Sequence, residues 1–187
     1  MTSVVSLASV TDRFLTPIQV IAGGIGTVFG VISETDQTQV PSYIFVPPRH
    51  VLRTRHPTPV RLGMVIRTPA GEVFIVGDNG PSEHASGTLW DSYRLFRATH
   101  QLQWKRRTYV VDPVTKQKAD APPANMGLIW VGVEPTDREE NERRMNTTFE
   151  RARFITAANV QADDLLGEYE VIRSDTQLGL QIGFLQT

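Results

Sequence analysis

Four histidines, His50, His56, His84 and His100, are the first place to look for chemistry, because imidazole serves as base, acid and metal ligand near neutral pH. None stands in an H-x-x-x-H or H-E-x-x-H arrangement, the spacing that puts two imidazoles on one helix face around a zinc ion. Glu83 and His84, following Asp78, could help hold a cation, but glycine and serine around them read as a loop. His50 and His56 sit among arginines, whose charge repels a bound cation. Cysteine is absent, so thiolate nucleophiles, disulfides and cysteine-type zinc sites are excluded. No G-x-S-x-G elbow exists to activate a serine. The paired acids Glu139-Glu140 and Asp163-Asp164 are sequence neighbours, so their side chains diverge on a strand or a helix alike. Asp164, ahead of Leu165-Leu166-Gly167, reads as the cap of a turn. The glycine run Gly23, Gly24 and Gly26 spells G-x-G-x-x-x-G, with no helix after it. That is a hairpin turn and not a dinucleotide fingerprint.

Positive charge is the remaining signal. Residues 49 to 61 hold Arg49, His50, Arg53, Arg55, His56 and Arg61 with no acid between them. Lys105, Arg106 and Arg107 form a second basic patch. Loops of this composition contact nucleic-acid phosphates without reading sequence. Solvated loops, or arginines paired with acids of a neighbouring subunit, have the same composition. Trp90, Trp104 and Trp130 are not interleaved with the basic residues along the chain and read as core or interface anchors. The whole chain has 19 basic and 20 acidic residues, so any contact with DNA is local.

The elements that must position these residues are mostly strands. IQVIA (18–22) and TVFGVIS (27–33) flank the glycines as a hairpin. SYIFV (42–46) is a third strand. Prolines 47, 48, 57 and 59 remove ladder donors and make the following stretch a long loop or, at most, an edge. RLGMVIRTPAGEVFIVGDNG reads strand, tight turn, strand. Residues 89–111 read as two strands or one long bent strand, and VDPVTKQKADAPPAN (111–125) as a second proline-bearing loop. LIWVGVEP and ARFITAAN are strands. GEYEVIRS and LGLQIGFLQ close the chain as a hairpin across Asp175-Thr176-Gln177, with Leu178, Leu180, Ile182 and Phe184 on one face. Between them, Thr136 and Glu139 make a capping box for a charged helix or arm near 136–153. LGMVIRTPAGEVFIV also echoes the closing hairpin GEYEVIRSDTQLGLQIGF, as two similar hairpins.

The expected fold is therefore mainly β: a small β-barrel or sandwich with long loops and at most one or two short helices. The expected organisation is a single β-rich domain over 1–187, with extended loops near 33–60 and 111–125. Glycines interrupt every apolar run well short of about 18 residues, so no membrane-spanning helix is expected. The first residues lack the basic and apolar regions of a secretory signal.

Two stretches resemble a known family. PVRLGMVIRTPAGEVFIVGD is similar to the V-x-x-G-M-x-V-x-x-x-G-x-x-F-x-V hairpin of tailed-bacteriophage head-tail connector proteins, the neck proteins of head-closure (stopper) or joining type. LIWVGVEP, with Trp130 and Pro135, resembles a further strand of those proteins, followed there by an insertion. NVQADDLLGEYEVIRS resembles their D-x-(L/I)-x-x-x-Y-x-V strand entry through Asp164, Leu165, Tyr169 and Val171. The resemblance covers about half the chain, which also carries added loops.

It implies a structural virion protein of the neck, without catalytic residues, cofactor or metal. Such a subunit forms a ring of about six or twelve copies and meets a portal or adaptor protein on one side. On the other it meets a tail tube or tail-terminator protein. It is made in the host cytoplasm, has no membrane partner and touches packaged DNA non-specifically. In that setting Arg49, His50, Arg53, Arg55 and His56 would face the lumen or a neighbouring subunit. Tail-terminator, tail-completion and tail-adaptor proteins are alternatives in role. A nucleic-acid-binding module built like an OB barrel is an alternative in kind, and an enzyme with a site between subunits is a third.

Overall fold

The computed structural model describes residues 15–24, 26–34, 48–79, 90–135 and 152–186. The charged segment expected as a helix or arm lies outside these residues, apart from Ala152 and Arg153, and so does the strand expected at 42–46. The described residues hold no helix. They form β1 (Thr16–Ala22), β2 (Gly26–Glu34), β3 (His50–Arg55), β4 (Val65–Arg67), β5 (Val73–Asn79) and β6 (Trp90–Arg97). The series continues with β7 (His100–Val111), β8 (Lys118–Pro135), β9 (Ala152–Thr156), β10 (Leu165–Leu166), β11 (Tyr169–Gln177) and β12 (Leu180–Gln186).

The sequence placed all strands in a single domain; in the structure they group into two compact units, Met1–Arg97 and Ala98–Thr187. Each unit is a closed antiparallel barrel. The first closes in the order β1-β2-β3-β6-β5-β4 and the second in the order β7-β8-β9-β12-β11-β10. The two orders are the same. Side-chain alternation supplies each interior. Ile18, Leu52, Ile66, Phe74 and Leu95 fill the first, and Trp104, Phe154, Leu166, Val171 and Leu185 the second.

The likeness reaches single residues. Ile66 pairs with Val20 and Phe74, as Leu166 pairs with Trp104 and Tyr169. Thr54 pairs with Gly30 as Thr156 pairs with Val131, and both threonines are buried. Val76 pairs with Leu95 as Val171 pairs with Leu185. Gly26 and Gly127 oppose Val20 and Trp104, at φ +108° and +107°, a conformation that a Cβ disfavours. The link into β4 and the link into β10 are one turn built twice. Gly63 N–H donates to Val76 O at 2.8 Å, and Asp163 N–H to Val171 O at 2.8 Å. Val76 N–H donates to Met64 O, and Val171 N–H to Asp164 O. The faint sequence echo is therefore a true repeat of the whole barrel, although the matching hairpins are β4–β5 and β10–β11, one strand earlier than the closing hairpin.

Three loop assignments change. Residues 50–55 are a strand inside the expected 33–60 loop, because the prolines only bound it. The 111–125 loop is largely β8, which runs on as one leg of a long hairpin with β7. Pro122 and Pro123 are accommodated where the register shifts opposite Arg107, at a bulge that asks for no N–H. The closing turn lies at Leu178-Gly179, both at positive φ, and not at 175–177, so Leu178 leaves the inward row.

Gly183 tests the packing of the second barrel. A Cβ there would overlap the Arg173 carbonyl oxygen and crowd the Phe154 ring at 2.7 Å. Gly183→Ala should lower stability by about 2–3 kcal/mol, the usual cost of overpacking against backbone that cannot move away. Chemical denaturation followed by circular dichroism measures it, and an unchanged midpoint would refute the close approach.

Candidate functional site

The first basic stretch is divided by strand β3. HVLRTR alternates, so Leu52 and Thr54 enter the barrel while Arg53 and Arg55 are exposed on its outside. His50 shares the inward parity. Its ring meets Phe74 edge-on at 4.9 Å, and its buried Nδ1 has no hydrogen-bond partner among the described residues. His50 thus does not join the arginines. Arg49 is exposed just before the strand. His56, just after it, contacts Asp91 at 3.0 Å through Nδ1.

Register completes the outer face. Arg53 lies between Val31 on β2 and Ser92 on β6, Val51 between Ser33 and Arg94, and Arg55 beside Trp90. Phe29, two residues before Val31, is 57% exposed on the same side of β2. Arg53, Arg55 and Arg94 are therefore interleaved in space with Phe29, Val31, Val51 and Trp90. Guanidinium groups alternating with apolar and aromatic surface can hold phosphate and stack on a base or ribose. Arg94, Trp90 and Phe29 were missed in the sequence because the face is assembled across strands. The alternation of HVLRTR was the signal that β3 is a strand with two arginines on one side.

The second basic cluster separates differently. Lys105 is exposed on β7 opposite Leu165. Arg107 forms an ion pair with Glu170 at 2.9 Å. Arg106 turns to the Asp164 carboxylate, with Nε 3.1 Å from Oδ1 and Nη2 3.0 Å from Oδ2, and also donates to Asn159 O at 2.7 Å. Trp104 Nε1–H donates to Asp164 Oδ2 at 2.9 Å, and the Arg106 guanidinium lies 5.1 Å from the Trp104 ring centre. The Gln161 N–H completes the set at 2.9 Å, so Asp164 does cap its turn. Two of the three cations are thus satisfied by acids of their own chain, and Arg106 is built into the barrel.

Asp164 is buried, and burial alone would push its carboxyl up. The hydrogen bonds from Arg106, the Gln161 N–H and Trp104, with the Arg106 charge, outweigh that and hold it below its ordinary value. The first barrel has Met64 at this position, whose Sδ takes the equivalent N–H of Arg61 at 3.4 Å. One turn is thus closed by thioether packing in the first barrel and by a charged cluster in the second. Among the described residues no three histidine, aspartate or glutamate side chains gather as metal ligands.

Asp164→Asn should cost about 2–4 kcal/mol, since it leaves the Arg106 guanidinium without its counter-charge and disturbs the Trp104 bond. The lowered carboxyl pKa sets the sign with pH. Its stabilisation is complete above the unfolded carboxyl value near about 4 and is lost as pH falls through the lower folded value. Wild-type stability should therefore fall more steeply between about pH 5 and 2 than that of Asp164→Asn. Equal slopes in denaturation at stepped pH would remove Asp164 from this role.

Compared with known protein families, curated protein sequences and solved structures, the chain matches none.

Proposed function

We propose that this chain is a structural virion protein of a tailed-bacteriophage neck, a ring subunit that joins the portal end of the head to the tail and helps retain packaged DNA. The observation that carries the reading is where the two resembling stretches fall. The V-x-x-G-M hairpin and the D-x-(L/I)-x-x-x-Y-x-V entry occupy the same place in the two barrels, β4–β5 and β10–β11. Each of the two resembling stretches thus lies at the turn that closes a barrel, which supports the connector reading. A duplicated closed barrel suits assembly, because rigid barrels without free edges do not polymerise through their strands.

In this reading the Arg53, Arg55 and Arg94 face meets DNA phosphates or an acidic neighbour. The same face favours one other reading, a free nucleic-acid-binding module, because its aromatics lie among its arginines.

Cryo-electron microscopy of virions from the phage that encodes the chain tests the proposal. Density for a ring of this chain on the head-tail axis is the expected result; its absence from the particle would overturn it. Within particles, the triple change Arg53→Ala, Arg55→Ala and Arg94→Ala should let filled heads lose DNA while rings still assemble. Binding of free oligonucleotide by the purified chain, weakening steeply with salt, would favour the module instead.

A further inference from the structure

Strands β7 and β8 run far beyond their counterparts. Pairing in the β1–β2 hairpin ends at Val20 and Gly26, whereas β7–β8 continues through residues 105–126 beyond the equivalent pair Trp104 and Gly127. Beyond Lys105 the two strands pair only with each other over this length among the described residues. β10 meets β7 at Trp104 and Lys105, and β9 meets β8 from Val131 onward. The tip is a defined turn: Asp112 Oδ1 accepts the N–H groups of Val114 and Thr115 at 2.7 and 3.0 Å. Asp112 N–H donates to Gln117 O at 2.9 Å.

A lone two-stranded ribbon is marginal in water. This one also carries unusual apolar exposure. Six of the eight large hydrophobic residues exposed among the described residues lie between 109 and 128, with Val110 62% and Val114 86% exposed. Exposure concentrated in this way marks an interface.

The outer edge of β8 identifies its occupant. Lys118-Ala119-Asp120 is its own charge complement when read antiparallel. We infer that two copies of this chain pair through these edges, antiparallel about a two-fold axis at Ala119. Lys118 of each copy then lies across from Asp120 of the other, an opposite-charge cross-strand pair formed twice. Val110 is the hairpin partner of Ala119, so an apolar row Val110, Ala119, Ala119, Val110 crosses the four strands on one face. Lys118 and Asp120 share the opposite face with Val111 and Tyr109, and the Lys118 ammonium lies 6.0 Å from the Tyr109 ring. Pro122 and Pro123 have no N–H and end the pairing on one side. Both barrels close on their described strands, so the open edges among the described residues are the two of the ribbon. The pairing joins a marginal ribbon into a four-stranded sheet, and it does not depend on the neck reading.

Sedimentation of the purified full chain tests it. Wild type should dimerise. Lys118→Asp and Asp120→Lys should each weaken the dimer roughly 10- to 100-fold, because two attractive pairs become repulsive at once. The double exchange should restore it, since the pairs re-form with their signs reversed. Val110→Ser, which leaves the charges alone, should weaken it as well. A wild-type chain still monomeric at about 100 µM would overturn the inference, as would single variants that dimerise like wild type or a double exchange that fails to rescue. No virion is needed, and a monomeric wild-type chain would leave the neck reading untouched.

Discussion

Barrel closure is the constraint on which the rest of this chain depends. A sheet of six strands has two edges, and closing it requires the first strand to find the fourth across a chain that has just left the third. The short turn at 60–64, and again at 160–164, performs that step. Its N–H groups bond to the neighbouring strand, a residue at positive φ reverses the chain, and the next side chain caps it. Glycine takes the positive-φ position in the first barrel and Asp163 in the second, the latter at some local cost that only a well-bonded turn can hold. The cap is an apolar Met64 in one copy and a charged Asp164 in the other. The two turns thus make the same backbone hydrogen bonds on different support, packing in one and a buried ion pair in the other.

The change explains the fate of the second basic cluster. Arg106 is held by Asp164 and Asn159, so its charge serves the turn. Desolvating such a pair offsets much of its Coulomb gain, and the Trp104 and Gln161 donors make it tenable by occupying the remaining carboxylate lone pairs. A run of basic residues in sequence and a basic surface in space are different things. Lys105-Arg106-Arg107 shows the difference within three residues, and β3 shows it again by sending His50 inward and Arg53 outward.

Alternation and turn chemistry made the β class, the glycine hairpin and most strand positions legible. What was not legible was connectivity. Nothing local distinguishes the sixth strand of one barrel from the first strand of the next, since only Ala98 and Thr99 separate β6 from β7. The repeat was masked because pairing preserves register, not residue identity: Val20 answers to Trp104, Leu52 to Phe154 and, with a change of polarity, Met64 to Asp164. The outer arginine face was hidden for a related reason, as Trp90 reaches Arg55 only through pairing across 35 residues of chain. The long hairpin was misread because proline in a segment suggests a loop. At a bulge on a strand with one free edge, proline costs no ladder bond.

The two barrels and the hairpin meet opposite requirements. Closed sheets satisfy their backbone groups internally and gain stability by having no edge to offer. The β7–β8 ribbon gives up that protection. Its β7 strand carries valine on both faces, Val110 and Val111, and its outer edges stay open among the described residues. Unpartnered, that is a liability for aggregation, and the sequence limits it with two prolines and with lysine and aspartate beside the open edge. The same charges that discourage indiscriminate pairing are arranged to satisfy each other in one register only. An edge guarded against most partners and matched to one is how a sheet edge gains a specific contact instead of an indiscriminate one.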